Sequence, residues 1–496
     1  MSNVSTPAAG IIDDRLADVS PLLFLGGKWR AAADGASFPV RDPATDNVLA
    51  YVPNASMAEA SEAVRAAERA LPAWRATTAA ERSTLLRRLF DLVVEKREWL
   101  ALIMSLEEGK PVDEALGEIA YGAGFLEWAA EEAKRVSGEI IPASDPSKRI
   151  LVLRQGVGVT ASIAPWNFPL AMITRKLGPA LAAGCTQVIK PARETPLTAM
   201  ALCGLVEEAG FPPGTVNLVT GSAAMIGETW FSDMAVRKVS FTGSTEVGQR
   251  LIELSAQNVT RLSLELGGHA PVIIFPDVDI EAAAAEAVRG KYRNTGQSCI
   301  SPNRYYVHDA IYDDFVECFT EGSRALTVGP GTKPGVQVGP LIDDAAVAKA
   351  VAHVEEAQAR GGKVTTGGRT VDLGQGYTDR FYEPTVITDV APDALVCREE
   401  TFAPIAPMVR FTSEADAIRM ANDTVFGLAA YFFTQDVGRV MRVAEGLDYG
   451  IVGINDCLPS TAQAPFGGMK QSGLGREGGH FVMDEYTEVK YLSLKI

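Results

Sequence analysis

A cysteine in a glycine-bearing turn, Cys299 within residues 291–304 (KYRNTGQSCISPNR), has the setting of a catalytic nucleophile. A thiol reacts when it is partly exposed, close to backbone N–H groups and able to ionise, and a loop after a helix supplies these conditions. Most single cysteines in intracellular proteins are instead small buried hydrophobes, so the thiol alone is weak evidence. Glu265 in LELGGHAP and Asn167 in APWNFP add a carboxylate base and an amide donor. These three groups together are the parts of an acyl-transfer site.

Two series of short β-branched runs, alternating with helical stretches, must position these residues. The first series is typical of βαβ units with a parallel sheet, and its strands are expected at residues 159–163, 186–190, 216–219, 238–241 and 261–264. After Glu265 a second series runs through PVIIF, RYYVH, PTVIT, PMVRF, AAYFF and GIVGIN. The helix after Lys190 is expected to have Thr195 as N-cap, Pro196 at its first position and Gly210 beyond its end. The sequence therefore predicts two α/β domains.

Helices and a hairpin flank the two series. Three amphipathic patterns open near Ser56, Thr78 and Lys110 and predict packing helices. Residues 134–154 then alternate and turn like a β-hairpin that leaves the compact body. The last strand, YTEVKYLSLKI, has no helix after it, and we expect it to pair with the hairpin of a neighbouring subunit.

Composition narrows the classes of function. The 496 residues, 47% hydrophobic and 22% charged, are typical of a globular protein of about three domains. A net charge of −16 argues against nucleic acid or an anionic membrane surface as a partner. No apolar run is long enough to span a bilayer and no basic leader is visible, which indicates a cytoplasmic protein. Six scattered cysteines without Cys-x-x-Cys spacing and four histidines indicate neither disulfides nor a metal site.

The stretch GQSC at 296–299, with ELGG at 265–268 before it, resembles the aldehyde dehydrogenase superfamily. The resemblance extends from about Leu22 to Lys490, and NDTVFGLAAYFF, YGIVGIN, PFGG and SGLGREGG are most similar to the succinate-semialdehyde dehydrogenase branch. The family uses a β element for subunit contacts, which implies a homo-oligomer, either a dimer or a tetramer. The implied α/β fold has a Rossmann-like cofactor domain (1–133 and 155–265), a second α/β catalytic domain (266–477) and a β oligomerisation element (134–154 and 478–496).

The resemblance also implies the roles of the reactive residues. Cys299 would attack the aldehyde carbon to form a thiohemiacetal, whose oxyanion is held by the Asn167 amide and the Cys299 N–H. After hydride transfer to a nicotinamide, Glu265 would activate water to hydrolyse the thioester. Lys176 matches a lysine that supports the proton relay, although an ordinary lysine on a helix surface is the plain alternative.

A cofactor site is expected at residues 241–248, FTGSTEVG, where a strand turns into a helix. Gly243 and the hydroxyl of Ser244 would meet a pyrophosphate at the helix N-terminus. The alternative is an ordinary capped helix. The run GVGVTA at 156–161 matches a dinucleotide fingerprint, but a strand and then Pro165 follow it where a helix should begin, so we reject it.

The resemblance adds further cofactor residues. Lys190, at the end of its strand, would meet the adenosine ribose, with a solvated lysine as the alternative. Trp166, Glu400 and Phe402 would hold the nicotinamide ribose and ring. The family usually has glycine after the phenylalanine, whereas this chain has Ala403, so the geometry of that turn departs from the family pattern.

The choice between NADP and NAD rests on Arg193. NAD-preferring relatives place a glutamate at this position to bind the ribose 2′-hydroxyl. An arginine instead suits a 2′-phosphate, which predicts NADP as the preferred cofactor. NAD remains the alternative, because the neighbouring Glu194 could turn inward and bind the hydroxyl.

Substrate recognition is assigned by the resemblance to Arg175, Arg293 and Ser460, which align with the carboxylate-binding positions of the semialdehyde branch. An arginine offers the bidentate fork that a carboxylate needs. The alternative is that both arginines form internal salt bridges near a subunit boundary. Asp456 to Pro459 depart from the usual residues of the branch, which leaves the chain length of the aldehyde open.

The sequence thus predicts an NAD(P)-dependent enzyme that oxidises an ω-carboxy aldehyde to the dicarboxylate. Three rivals remain: an aldehyde dehydrogenase of other specificity, a binding or structural protein that keeps the fold without turnover, and a thiol hydrolase that uses Cys299 and Glu265 without redox chemistry. Intact Cys299, Glu265 and Asn167 weigh against the non-catalytic reading.

Overall fold

The computed structural model describes residues 8–496, so residues 1–7 of the expected cofactor domain lie outside the described residues. The strands are β1 (Gly10–Ile11), β2 (Leu23–Leu25), β3 (Lys28–Arg30), β4 (Ser37–Arg41), β5 (Val48–Pro53), β6 (Glu139–Ile141), β7 (Lys148–Gly156), β8 (Val159–Ile163), β9 (Thr186–Lys190), β10 (Val216–Leu218), β11 (Val236–Thr242), β12 (Arg261–Glu265), β13 (Ala270–Ile274), β14 (Pro302–His308), β15 (Lys363–Thr366), β16 (Thr385–Thr388), β17 (Ile405–Phe411), β18 (Ala429–Phe433), β19 (Ile451–Ile454), β20 (Gly473–Leu474) and β21 (Thr487–Lys495).

The helices lie between these strands and cover the sheets. They are α1 (Met57–Arg75), α2 (Ala79–Glu95), α3 (Arg97–Glu108), α4 (Val112–Glu132), α5 (Ala171–Ala182), α6 (Leu197–Ala209), α7 (Ala223–Ser232), α8 (Thr245–Ser255), α9 (Ile280–Tyr292), α10 (Tyr312–Arg324), α11 (Asp344–Ala359), α12 (Leu395–Arg398), α13 (Glu414–Asn422), α14 (Val437–Gly446) and α15 (Val482–Tyr486).

The first sheet has eight strands in the order β20-β12-β11-β8-β9-β10-β2-β3. Its five central strands, β8 to β12, are mutually parallel, which confirms the predicted series. They are buried almost throughout, as expected for a parallel sheet with helices on both faces. Strand β20, which falls within the expected catalytic domain, pairs with β12 and so joins this sheet.

The second sheet has seven strands in the order β15-β16-β17-β14-β13-β18-β19. All neighbours are parallel except β15 and β16. Six of its strands, β13, β14 and β16 to β19, coincide with the predicted apolar runs to within two residues, because each run is buried and bounded by turn or helix signals. Strand β15, at the edge of the sheet, has no counterpart among the predicted runs. The two α/β layers therefore follow directly from the alternation in the sequence.

The helical region before the first sheet contains four helices, not the predicted three. Ser56 and Thr78 open α1 and α2 with capping boxes, as their sequence signals indicate. The additional helix, α3, begins directly after Lys96 without a side-chain cap, so its start carries no local signal. It ends at Gly109, whose φ of 94° is the left-handed conformation that glycine tolerates.

The predicted cap of helix α6 is wrong by one residue. Pro196, expected inside the helix, is its N-cap, whereas Gly210 ends it as predicted. The first backbone N–H groups, of Leu197 and Thr198, donate to the carboxylate of Glu107 at 2.7 and 2.8 Å. Thr195 does not cap this helix, because a buried acid from α3 supplies the acceptor from outside the segment.

A third sheet has the order β21-β7-β6, and its pairing corrects the prediction for the last strand. Strand β21 pairs antiparallel with β7 of its own chain along nine residue pairs, from Thr487 with Gly156 to Lys495 with Lys148. We expected the hairpin of a neighbouring subunit as the partner. The chain returns from a distant part of the sequence to place the two strands side by side. No local sequence pattern indicates that return.

None of the helices in residues 8–496 combines the length and the apolar character that crossing a bilayer requires.

Candidate active site

A cavity of about 290 Å³ lies between the two large sheets and collects most of the predicted site. Strands β8 and β11 end at the rim of this cavity. The loops that lead into β13, β14 and β17 also contribute residues to its lining. Ligand sites form at the carboxyl ends of parallel strands, where loops diverge. The lining includes the predicted residues Trp166, Asn167, Gly243, Ser244, Cys299, Glu400 and Phe402.

The nucleophile loop follows helix α9 through a short 3-10 turn. Asn294 and Thr295 both have positive φ, 50° and 57°, which is a costly backbone for a β-branched residue. Gln297 ties the loop down, because its side-chain oxygen accepts a hydrogen bond from Ile342 N at 3.0 Å. Cys299 then sits in a turn and is partly exposed. Burial raises the pKa of its thiol to about 12, with Glu400 acting in the same direction.

Asn167 lies opposite the nucleophile, in the loop between β8 and α5. Its Nδ2 donates to the carbonyl of Gln297 at 3.0 Å, which fixes the side chain beside the Cys299 loop. The backbone carbonyl oxygen of Asn167 accepts hydrogen bonds from Lys110 Nζ at 2.7 Å and from Asn294 Nδ2 at 3.0 Å. A second N–H of the amide is thus available to a ligand oxygen.

Glu265 ends strand β12 and is buried behind the cavity lining. Neither carboxylate oxygen has a hydrogen-bond partner among the described residues. Burial raises the pKa of this carboxyl well above its ordinary value, and the nearby Glu477 raises it further. A carboxyl with a raised pKa and free oxygens has the properties of a general base.

Lys176 and Arg175, on helix α5, share a buried partner that the sequence reasoning missed. Lys176 Nζ lies 2.7 Å from Glu477 Oε1 and donates to Thr242 Oγ1 at 2.6 Å, at the cavity rim. Arg175 Nε lies 2.5 Å from Glu477 Oε2. Burial alone would raise the pKa of Glu477, but these two cations hold it below its ordinary value.

Lys176 is therefore a buried lysine and not a solvated one on a helix surface. Burial lowers the pKa of its ammonium, while Glu477 opposes that change. Glu477 stands among glycines in REGG, with no periodicity to mark it, and its partners lie about 300 residues earlier in the chain. No local signal could have found it.

The expected nicotinamide site brings two aromatic rings together. The rings of Trp166 and Phe402 are 5.6 Å apart and nearly perpendicular. Phe402 itself has a φ of 55°, whereas Ala403 has ordinary backbone angles, so the left-handed residue of this turn is not the one where the family has glycine. Glu400 Oε1 accepts from Gly268 N at 2.9 Å, and burial raises the pKa of its carboxyl to about 7.

Ser244 fits both interpretations of the FTGSTEVG motif, an ordinary helix cap and a phosphate site. Its hydroxyl accepts a hydrogen bond from Val247 N at 3.3 Å, which makes it the N-cap of α8. The same residue and Gly243 also line the cavity. The capped helix thus presents its N-terminus to the space where a phosphate would bind.

Lys190 and Arg193 lie at the end of β9, outside the cavity lining. Lys190 is buried and its Nζ donates to Pro191 O at 2.9 Å, so it is not the solvated lysine of the alternative. Burial lowers its pKa to about 8. Arg193 is exposed, stacks at 4.5 Å over the ring of Phe38 and has no acidic partner in the described residues.

The three predicted substrate residues have different surroundings. Arg293 is half-buried, stacks at 5.0 Å on Phe168 and has no ion pair or polar partner among residues 8–496. Arg175 is fully buried and paired with Glu477, as in the salt-bridge alternative, although its Nη2 has no hydrogen-bond partner within the described chain. Only one of the two arginines is therefore unpaired.

Ser460 lines a second, larger cavity of about 670 Å³, together with Tyr121 of helix α4. Tyr121 was not predicted, since a single aromatic on an amphipathic helix resembles a core residue. Burial raises the pKa of its phenol, and the charges of Arg175 and Arg293 act in the opposite direction. Its hydroxyl therefore lies within electrostatic reach of both arginines.

Metal ligands are not clustered at this site. In the part of the chain that the structure describes, no three His, Cys, Asp or Glu side chains converge as they would around an ion.

Known proteins resemble the chain over nearly its whole length. Residues 29–492 match the model of the aldehyde dehydrogenase family. A glutarate-semialdehyde dehydrogenase of Pseudomonas aeruginosa is 52% identical over 95% of this chain and 97% of its own. An Escherichia coli succinate-semialdehyde dehydrogenase, named for NADP(+), is 50% identical with the same coverage. The crystal structure of succinate-semialdehyde dehydrogenase from Burkholderia pseudomallei has a TM-score of 0.95 at 50% identity, covering 98% of this chain and 100% of that one.

Proposed function

Because the chain belongs to the aldehyde dehydrogenase family, we propose that it oxidises an aldehyde with a terminal carboxylate to the dicarboxylate, using NADP(+) or NAD(+). Succinate semialdehyde and glutarate semialdehyde are the two candidates. One observation carries the reaction type: the thiol of Cys299 and the amide of Asn167 line one cavity with the expected nicotinamide residues. The relatives named for these two aldehydes support the substrate class.

The first step joins the substrate to the enzyme. The Cys299 thiolate attacks the aldehyde carbon and forms a C–S bond, while the aldehyde oxygen becomes an oxyanion. The free N–H of the Asn167 amide and the Cys299 N–H hold that oxyanion, which lowers the barrier where charge develops. A nicotinamide held beside Trp166, Glu400 and Phe402 would supply the hydride acceptor, and Cys299 would then carry the acyl group as a thioester.

The second step releases the product. Glu265 takes a proton from water, the resulting hydroxide adds to the thioester carbon, and the Cys299 thiolate leaves. The raised pKa and the free oxygens of Glu265 suit this role. Lys176 bonds to Thr242 at the cavity rim and to Glu477, and the charges of Lys176 and Glu477 both act on the pKa of Glu265, in opposite directions.

The residues present fit a dinucleotide. Lys190 is a buried ammonium with one acceptor, so two of its N–H groups remain for ribose oxygens. We propose that NADP(+) is preferred over NAD(+), since Arg193 has no acidic partner in residues 8–496 and is held by stacking on Phe38. If Glu194 instead bound the ribose hydroxyl, NAD(+) would be preferred.

The substrate carboxylate is assigned to Arg293. Arg293 is half-buried and has no direct ion pair among residues 8–496, although its charge acts on the buried Glu114, so a substrate carboxylate would supply a direct partner. Tyr121 and Ser460 line the second cavity, and the charges of Arg175 and Arg293 act on the Tyr121 phenol. Arg175 contributes its remaining Nη2 and its positive potential, because its Nε is already paired with Glu477.

The test is a panel of aldehydes assayed with both cofactors. Succinate and glutarate semialdehydes should have the highest kcat/KM, hexanal and benzaldehyde much lower values, and NADP(+) should exceed NAD(+). Cys299→Ala should abolish oxidation, and Glu265→Gln should retain a single-turnover burst of reduced cofactor while losing steady-state turnover. Ester cleavage without any aldehyde oxidation would instead establish a thiol hydrolase, and cofactor binding without turnover would establish a non-catalytic protein.

We also propose the domain division 1–133 and 155–265, 266–477, and 134–154 with 478–496, and a homo-oligomer built on the third sheet. Exposed apolar residues on that sheet support the assembly. A cytoplasmic location is proposed as well. All six cysteines are free, which supports a reducing compartment.

A further inference from the structure

Two buried charged residues, Lys110 in the turn between α3 and α4 and Glu118 on α4, lie outside the cavity lining and carry none of the roles assigned above. The side chains of Lys110 and Glu118 are 1% and 0% exposed. Burying a charge is unfavourable unless it is paired and hydrogen-bonded. The contacts of Lys110 and Glu118 therefore indicate which part of the structure the two charges stabilise.

Lys110 makes contacts in two directions. Its Nζ lies 2.6 Å from Glu118 Oε2 and donates to the carbonyl oxygen of Asn167 at 2.7 Å. The ammonium also lies 4.2 Å from the ring of Phe168, on its face. A hydrogen bond from a charged donor is shorter and stronger than one between neutral groups. Lys110 thus fixes the backbone of Asn167, the residue whose side chain is the proposed oxyanion donor.

Glu118 completes the clamp from the other side. Its Oε1 accepts hydrogen bonds from the N–H groups of Leu170 and Ala171, at 2.9 and 3.2 Å, where helix α5 begins. The Lys110–Glu118 pair therefore fixes both ends of the short turn from Asn167 to Ala171. With the backbone held, the Asn167 side chain can keep its bond to Gln297 O and present its other N–H to the cavity.

We propose that Lys110 is a positioning residue for Asn167, with Glu118 as its counter-charge, and that the pair holds the oxyanion donor in register with Cys299. This inference rests on the proposed function. An oxyanion donor must be held within a fraction of an ångström, and a small misplacement can cost about two orders of magnitude in rate. A charged clamp of two residues, outside the cavity, provides that precision.

The experiment is a double-mutant cycle on the rate of reduced-cofactor formation in a single turnover, with the aldehyde that the wild-type enzyme oxidises best. Lys110→Met should slow this step at least about tenfold, while the melting temperature shows that the protein folds and cofactor affinity stays within about twofold. In the Asn167→Ala background the same substitution should slow the step by less than about twofold, because the group it positions is gone.

Lys238→Met is the matched control. Lys238 is equally buried and bonds to Ser263 and Glu485, but it lies near the start of β11, at the opposite end of that strand from the cavity rim. It should leave the single-turnover rate within about twofold of wild type. An equal loss from Lys238→Met would show that buried-lysine removal disturbs the enzyme generally, and would overturn the proposal.

Other outcomes also decide the matter. An equal loss from Lys110→Met with and without Asn167 would mean that Lys110 does not act through Asn167. If Lys110→Met fails to fold, the same rates are measured with Glu118→Gln instead. Failure of both variants to fold would mean that the pair serves folding alone, and would overturn the proposal. The cycle can be run with any aldehyde that the enzyme oxidises. If the wild-type enzyme oxidised other aldehydes but not those with a carboxylate, the proposed substrate would be wrong, and the cycle would still test the role of Lys110.

Discussion

The thiol of Cys299 illustrates how a single residue depends on its surroundings. A loop position and partial exposure make it accessible, yet burial raises its pKa to about 12 in the free enzyme. The thiolate is the reactive form, and below the pKa its fraction rises tenfold with each pH unit. Only a small fraction of this thiol is therefore ionised at neutral pH in the free enzyme.

We predict that iodoacetamide inactivates the cofactor-free enzyme about tenfold faster for each unit of pH between 7 and 9. The rate should rise without a plateau, because this range lies below the thiol pKa. The measurement is residual activity against time at each pH, and mass spectrometry of Cys299→Ala corrects for alkylation of the partly exposed Cys318. A plateau below pH 8 would mean that the thiol is already ionised at neutral pH.

Arg293 carries the second prediction at this scale. Removing the charged partner of a bound carboxylate costs about 2 to 5 kcal/mol, so Arg293→Ala should lower kcat/KM for succinate semialdehyde more than tenfold. Hexanal has no carboxylate to lose, and its kcat/KM should be unchanged or higher. Arg289→Ala is the control, since Arg289 lies one turn earlier in α9 and only pairs with Glu286 at the surface. Equal losses for both aldehydes would make Arg293 structural.

At the scale of elements, the site depends on how closely loops from the two sheets approach. Gly268 lies in the loop between β12 and β13, and a side chain on it would overlap the carbonyl oxygen of Cys299. Glycine is needed here for close approach, although its backbone conformation is ordinary. Its N–H also holds the carboxylate of Glu400. One loop thus touches the nucleophile and a cofactor residue together.

We predict that Gly268→Ala lowers kcat at least about tenfold, because the methyl group displaces the nucleophile loop from the oxyanion donor. The measurement is steady-state turnover together with the melting temperature. Gly117→Ala is the control: Gly117 lies on helix α4 with no atom within 4 Å of an added methyl group, so activity should be unchanged. Unaltered turnover in Gly268→Ala would show that the loop yields without moving Cys299.

At the scale of the whole molecule, the third sheet presents an apolar face that nothing in the described chain covers. Residues paired across β6, β7 and β21 place Ile140, Leu153, Leu492 and Leu494 on one side, and Ile140 is 81% exposed. Monomeric proteins rarely expose such a contiguous patch. A second copy of this chain is the partner that the proposed homo-oligomer supplies.

We predict that the wild-type protein is a dimer or tetramer and that Leu492→Glu with Leu494→Glu dissociates it, because two carboxylates would be buried unpaired at the contact. Size-exclusion chromatography with light scattering gives the mass. Lys363→Glu, an exposed residue at the start of strand β15, is the control and should not change the assembly. An unchanged mass for the double variant would place the subunit contact elsewhere.

The sequence by itself determined what local pattern encodes. The period of the apolar runs predicted the parallel strands of both large sheets to within two residues, although not the antiparallel strands β2, β3, β15 and β20. Capping boxes at Ser56 and Thr78 marked two helices. Cys299, Glu265 and Asn167 were identified by residue type and motif. Such features depend on neighbours within a few residues, which is why they can be read without the fold.

Only the tertiary structure decided the features that join distant segments. Glu477 pairs with Arg175 and so leaves Arg293 as the unpaired guanidinium, Glu107 caps a helix that Thr195 was expected to cap, and β21 pairs within its own chain. Each is a contact between segments roughly 90 to 340 residues apart, between a charge or a strand edge and the partner that satisfies it. The partner is chosen by which groups the fold buries together, and no local pattern records that choice.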